Sequence, residues 1–183
     1  MRKFIATLLF MPFICAFTNA QTEELLIEVK YDRFKDSTSI ATAEKYNNRM
    51  FSKMWGIQPR LFVGITYSGK TPPKGGVFVD LVFHSINDSW RYLNSYDLYC
   101  LADDKPIEMP ETKRSGEVKK GLFVIETIYC KLSYETFEQL CKASKLEFKL
   151  AHKEFAVSEE EQIALKQLKQ VYEEQVKKHE KEK

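Results

Sequence analysis

The run Gly64-Ile65-Thr66-Tyr67-Ser68-Gly69-Lys70-Thr71 matches G-x-x-x-x-G-K-[ST], the loop that holds phosphates in nucleotide hydrolases. That chemistry needs a strand before the loop and a helix directly after it, so that N–H groups at the helix start enclose the anion. Here the first glycine lies inside an alternating run that Ile65, Thr66 and Tyr67 continue. Pro72-Pro73-Lys74-Gly75-Gly76 then follows Thr71, a stretch that cannot open a helix of useful length. The match reads as a strand running into a turn, not as a phosphate site.

Hydrolytic chemistry could start from His84. Asp80 and His84 share one lane of a strand with Phe78 and Val82, and Ser85 is adjacent. Neighbouring strand residues point to opposite faces, whereas a nucleophile and its base must lie within hydrogen-bond reach. The chain contains no G-x-S-x-G elbow, so the His84 region reads as sheet surface. Glu126 is the more informative acid. Leu122, Val124, Ile128, Cys130 and Leu132 share its lane, and a carboxylate in an apolar lane must be paired, protonated or at an opening. No second carboxylate is placed beside it, so a glycosidase-like pair cannot be argued. A structural hydrogen bond or ion pair is expected, with Arg91 as its partner.

Trp55, Tyr67, Trp90, Tyr92, Tyr96 and Tyr99 are of the types that line sugar or peptide grooves, and equally of the types that fill β-rich cores. Trp90, Tyr92 and Tyr96, with Glu126, form the candidate binding set. Asn87-Asp88-Ser89 is a formal glycosylation sequon. Beyond Cys15 the chain has Cys100, Cys130 and Cys141, and its histidines are His84, His152 and His179. These spacings fit no zinc pattern, and no metal, cofactor or catalytic set is expected. Buried free thiols are the simplest reading. If one pair forms, Cys100–Cys130 is the expected one, since both fall in predicted strands.

The elements that would position these residues follow from periodicity. Leu25–Tyr31 alternates as a half-buried strand, with Leu25, Ile27, Val29 and Tyr31 on one face. Thr38–Ala43 is β-prone, and Lys45–Ile57 reads as a short helix or an apolar loop. Leu61–Tyr67 and Val77–Ser85 form a hairpin around the long 68–76 connection. Leu98–Ala102 turns through Asp103-Asp104 towards Ile107–Met109. Thr112–Lys120 is a polar arm, and Leu122–Leu132 is a strand with neighbours on both sides. Ser133 caps a helix through about Ala143, with Leu132 and Phe137 placed as a hydrophobic staple. Two short strands, Leu146–Leu150 and Glu154–Val157, precede a last helix opened by a Ser158/Glu161 capping box. In that helix Leu165, Leu168, Tyr172 and Val176 form one docking stripe. The stripe is too short for a coiled coil, and residues 177–183 are expected to fray.

Arg2, Lys3, the apolar run Phe4–Phe17 and Thr18-Asn19-Ala20 have the layout of a secretory signal over residues 1–20. The apolar run falls short of the ~20 residues that span a bilayer. The whole chain of 183 residues carries 28 basic and 26 acidic side chains. Arg2 and Lys3 supply the entire excess, so the remainder is balanced and offers no electrostatic footprint for nucleic acid. With 44% hydrophobic and 13% aromatic residues, residues 21–176 suit one folded domain.

Several segments resemble those of a group of small exported bacterial proteins that are β-rich and end in a helix. They are Tyr31-Asp32-Arg33-Phe34 with Thr38, Phe83-x-Ser85 leading to Trp90-Arg91-Tyr92-Leu93, and Leu98-x-x-Leu101-x-Asp103. Glu126 before the capped Ser133–Ala143 helix, and Leu146-Glu147 through Glu154-Phe155 into Ser158, complete them. The group has Gly in the turns where this chain has Asp104 and His152. The resemblance implies fold and export and carries no activity.

The expected fold is α+β, an antiparallel β-sandwich-like core with a short helix and a C-terminal helix packed on it. The expected function is that of an exported, non-enzymatic binding or envelope accessory protein that recognises an envelope or extracellular protein or glycan through its surface. Two alternatives stand beside it, a small secreted hydrolase using Glu126 or the His84 region and a carbohydrate-binding module.

Overall fold

The computed structural model describes residues 24–52, 58–119 and 122–181. The signal-like segment 1–20 and Trp55 lie outside the described residues. In chain order the elements are β1 (Ile27–Asp32), β2 (Ser37–Thr42), α1 (Glu44–Ser52), β3 (Arg60–Ser68), β4 (Phe78–Asn87), β5 (Leu98–Ala102) and β6 (Lys105–Ile107). There follow β7 (Thr112–Lys119), β8 (Phe123–Ser133), α2 (Tyr134–Lys142), β9 (Leu146–Leu150), β10 (Lys153–Ala156) and α3 (Glu159–Lys181).

The strands form two antiparallel sheets, one in the order β1-β2-β3-β4-β8-β7 and the other in the order β10-β9-β5-β6. Their inner faces meet in one core. Phe83 of the larger sheet lies edge-on to Phe148 and Phe155 of the smaller, with ring centroids 5.1 and 6.1 Å apart. The fold is α+β. The 61–85 hairpin forms, with Leu61 opposite Phe83 and Ile65 opposite Val79. β8 is paired on both sides, by β4 and β7.

The helices dock as their apolar spacing dictates. In α2 the Ser133 Oγ accepts from the Thr136 N–H at 3.1 Å, and Phe137, Leu140 and Cys141 are buried. In α3 the Ser158 N–H donates to Glu161 Oε2 at 2.8 Å, and the Glu161 N–H donates to Ser158 Oγ at 3.3 Å, completing the capping box. Leu165, Leu168 and Tyr172 are buried beneath it. α1 covers part of the other face of the large sheet, where Tyr46 and Met50 pack with Phe62.

Three sequence expectations change. The first strand alternates, but Val29 and Tyr31 are 43% and 41% exposed because β1 is an edge strand and little lies over its rim. The helical tail continues to Lys181 instead of fraying from 177. The 69–77 loop lies against it, with the Tyr172 hydroxyl donating to the Pro73 carbonyl at 2.6 Å and Lys74 pairing with Glu180 at 2.9 Å. The third concerns two turns. Asp104 adopts φ +62°, the left-handed conformation glycine favours, with Asp103 at +49° before it; in the 150–153 turn Ala151, not His152, takes positive φ. Asp103 has a compensating role there, since its Oδ1 accepts from the Ser144 and Lys145 N–H groups at 3.0 and 2.9 Å.

Candidate functional site

The G-x-x-x-x-G-K-T run is strand as far as Ser68. Gly64 sits mid-sheet opposite Ala41 on one side and Asp80 on the other. A Cβ there would come within 3.1 Å of the Ala41 Cβ, so the glycine serves sheet packing. Gly69 turns the chain at φ +76°, and no helix follows before β4.

His84 and Glu126 lie on opposite faces of the large sheet. In the β4–β8 ladder His84 faces Thr127 while Ser85 faces Glu126. His84 Nδ1 is 2.9 Å from Thr127 Oγ1, and its ring packs edge-on against Phe62 at 5.0 Å. Burial holds its pKa below the ordinary histidine value, so it is neutral at neutral pH. Ser85 is buried on the far side and accepts from Asn87 Nδ2 at 2.6 Å. The sheet separates the base from both the serine and the acid. The same contact holds the Asn87 amide, which is 5% exposed, so the sequon asparagine is a core residue in the folded chain.

Glu126 is fully buried and closed on all sides. Its Oε2 accepts from the Arg91 N–H at 2.7 Å. Its Oε1 accepts from the Tyr92 N–H at 3.0 Å and from Arg114 Nη2 and Nε at 3.0 and 3.2 Å. The ion pair is therefore with Arg114 on β7; Arg91, the expected partner, contributes its backbone instead. The ladder explains this, since Gly116 lies opposite Glu126 and Arg114 sits two residues along the same inward lane.

Trp90 completes the cluster. The Arg114 guanidinium carbon lies 4.6 Å from its ring centroid. A Cβ on Gly116 would come within 2.5 Å of Trp90 Cζ3, so the glycine makes room for the indole. Tyr92 is 1% exposed. Burial first, and the Glu126 charge second, push its hydroxyl up to about 12. Of the candidate binding set, Trp90, Tyr92 and Glu126 thus converge, with Tyr92 and Glu126 inside the protein and Trp90, 38% exposed, at its surface. Tyr92 and Glu126 have no surface to offer a ligand, and their role is to pin residues 90–92 to β7 and β8.

That anchored segment leads into a cleft. Asn94, Ser95, Tyr96, Asp97 and Tyr99 form one wall and Met109, Pro110, Glu111 and Thr112 the other, enclosing ≈ 430 Å³. Thr112 Oγ1 donates to the Tyr96 carbonyl across it at 2.8 Å, and the Asp97 carbonyl accepts from the Ala151 N–H at 2.8 Å. Tyr96 is the member of the candidate set that lines this cleft. Tyr99, 59% exposed, also borders a second depression of ≈ 330 Å³ on the outer face of the small sheet, with Leu101, Pro106, Glu147, Lys149 and Glu154. In the sequence Tyr99 is one aromatic among the six singled out. Its signal is its parity in Leu98–Ala102, opposite to the buried Leu98, Cys100 and Ala102.

Cys100, Cys130 and Cys141 are free buried thiols, as the simplest reading of the sequence has it, and the conditional Cys100–Cys130 pair is not formed. Cys100 belongs to the inner face of the small sheet and Cys130 to that of the large one. Each packs as an apolar side chain, and the Cys130 thiol lies 3.8 Å from the Pro110 carbonyl. Burial pushes the thiols up to about 12 for Cys100 and Cys141 and about 11 for Cys130. At pH 8 the native chain should therefore resist alkylation at all three, and all three should label once it is unfolded. Peptide mass mapping checks this. Labelling of Cys141 alone in the unfolded, unreduced chain would show a disulfide instead.

Among the described residues no group of three or more His, Cys, Asp and Glu side chains is placed to hold a metal ion, and no helix is long and apolar enough to cross a membrane. The chain matches no protein-family model, and a search of curated proteins finds no match.

Proposed function

We propose that this is an exported, non-enzymatic recognition protein whose binding face is the surface centred on Tyr99. It would engage a protein or glycan of the envelope or the extracellular space. The signal-like residues 1–20 support export. The observation that carries the recognition reading is the exposure of Tyr99 between two adjoining depressions, one polar and one bordered by Leu101 and Pro106. An exposed tyrosine and leucine rimmed by Glu147, Lys149 and Glu154 is the composition of an interaction patch with a polar border. The carbohydrate reading draws on a narrower feature, the placing of Tyr96 and Tyr99 in one cleft with Asn94, Asp97 and Glu111.

The test is capture from an envelope extract with the purified chain, set against Tyr99→Ser and Tyr129→Ser. Tyr129 is 44% exposed on the large sheet and serves as the control. Loss of the captured species with Tyr99→Ser alone supports the proposal, and its sensitivity to glycosidase separates glycan from protein. Equal capture by both variants, or by neither they nor the parent chain, overturns it.

A further inference from the structure

The second open feature of the described residues is the β1 edge of the large sheet, whose other edge strand is β7. Among the described residues β1 pairs with β2 alone. The Ala43 N–H donates to the Leu26 carbonyl at 2.7 Å, extending the register that sets Ile27 opposite Thr42. In an antiparallel ladder the residues that exchange hydrogen bonds alternate. Even-numbered residues of β1 therefore turn their backbone groups to β2, and Ile27, Val29 and Tyr31 turn theirs outward. The side chains of those three lie on the inner face, and Val29 and Tyr31 remain 43% and 41% exposed there. Glu28 and Lys30 lie on the outer face and pair with each other at 2.6 Å.

We propose that β1 pairs antiparallel with β1 of a second copy of this chain, about a two-fold axis through Val29. The strand Ile27-Glu28-Val29-Lys30-Tyr31 is self-complementary in that register and in no neighbouring one. With Val29 opposite Val29, the outward N–H and C=O groups of Ile27, Val29 and Tyr31 meet those of Tyr31, Val29 and Ile27 in the second copy. Glu28 then stands opposite Lys30, and Lys30 opposite Glu28, so the existing Glu28–Lys30 pair becomes a quartet of alternating sign. Sliding the strands to the next hydrogen-bonding register in one direction sets Glu28 against Glu28. Sliding the other way sets Lys30 against Lys30 and Glu28 against Asp32. Like charges directly opposite are destabilising, so the charges select one register. The same pairing covers Val29 and Tyr31 and satisfies an edge that is otherwise a template for irregular association.

Sedimentation equilibrium of the purified chain tests this. The parent chain is expected to dimerise. Glu28→Lys and Lys30→Glu should each weaken the dimer roughly tenfold, since each sets like charges opposite in both symmetry-related pairs. The two single variants mixed together should associate as a heterodimer, and the double variant Glu28→Lys/Lys30→Glu should recover the parent behaviour. Val29→Pro removes an outward N–H without touching the β1–β2 ladder, so it should give a folded monomer by circular dichroism. A parent chain that is monomeric at all concentrations overturns the proposal. So does a dimer indifferent to Val29→Pro, or one in which the mixed single variants fail to pair.

Discussion

Glu126→Gln is expected to lower the unfolding free energy by about 3–5 kcal/mol, the range for removing one member of a buried charge pair. The side chain keeps its length, but the variant cannot present two anionic oxygens to the Arg91 N–H, the Tyr92 N–H and the Arg114 guanidinium. Arg114, with only 14% of its side chain exposed, is left as an uncompensated charge, and at least one buried N–H loses its acceptor. Replacing Glu126 and Arg114 together with apolar residues should cost less than the sum of the single losses. It should still cost something, because the two backbone donors remain. Urea unfolding of the parent, both single variants and the double variant measures the coupling. A Glu126→Gln chain as stable as the parent would remove the structural role assigned to this acid.

The second large effect is expected at Glu161→Ala, about 2–3 kcal/mol. Glu161 is 3% exposed and joins two elements far apart in sequence. Its Oε2 closes the capping box with Ser158, and its Oε1 accepts from the Leu61 N–H of β3 at 2.9 Å. Alanine loses the cap and strands a buried strand-end donor. Glu161→Gln keeps an acceptor oxygen for one of the two partners and should fall between alanine and the parent. Urea midpoints in that order support the account. Equal midpoints for alanine and glutamine would mean that the Leu61 contact adds nothing to the cap.

These two acids mark how far the sequence is legible. The Ser158/Glu161 box is local, three residues apart, and its signature can be read directly. The contact with Leu61 cannot, because it depends on where α3 lies across β3. For Glu126 the alternation shows a carboxylate on an apolar lane and forces it to have a partner. The partner's identity depends on the β7–β8 register, which sets Gly116 opposite Glu126 and brings Arg114 into reach. The available signals were the inward lane Thr112, Arg114, Gly116 and Val118, and a bare glycine in a strand, which implies a close neighbour. Trp90 is that neighbour. The aromatics show the same limit. Tyr67 and Tyr99 are alike in type, yet one is core and the other surface, because the division into two sheets decides which parity faces inward. The docked end of α3 was hidden for a related reason, since its contacts come from the 69–77 loop, whose path no periodicity describes.

Glu126 holds the irregular segment after β4 against β7 and β8, so that the cleft beyond it has a fixed wall. Amide hydrogen exchange of the native chain tests this most directly. Arg91 and Tyr92 belong to no regular element, yet their N–H groups should exchange as slowly as the buried amides of β8, while those of Asn94 and Ser95 exchange far faster. Exchange of Arg91 and Tyr92 at the rate of Asn94 and Ser95 would contradict the account.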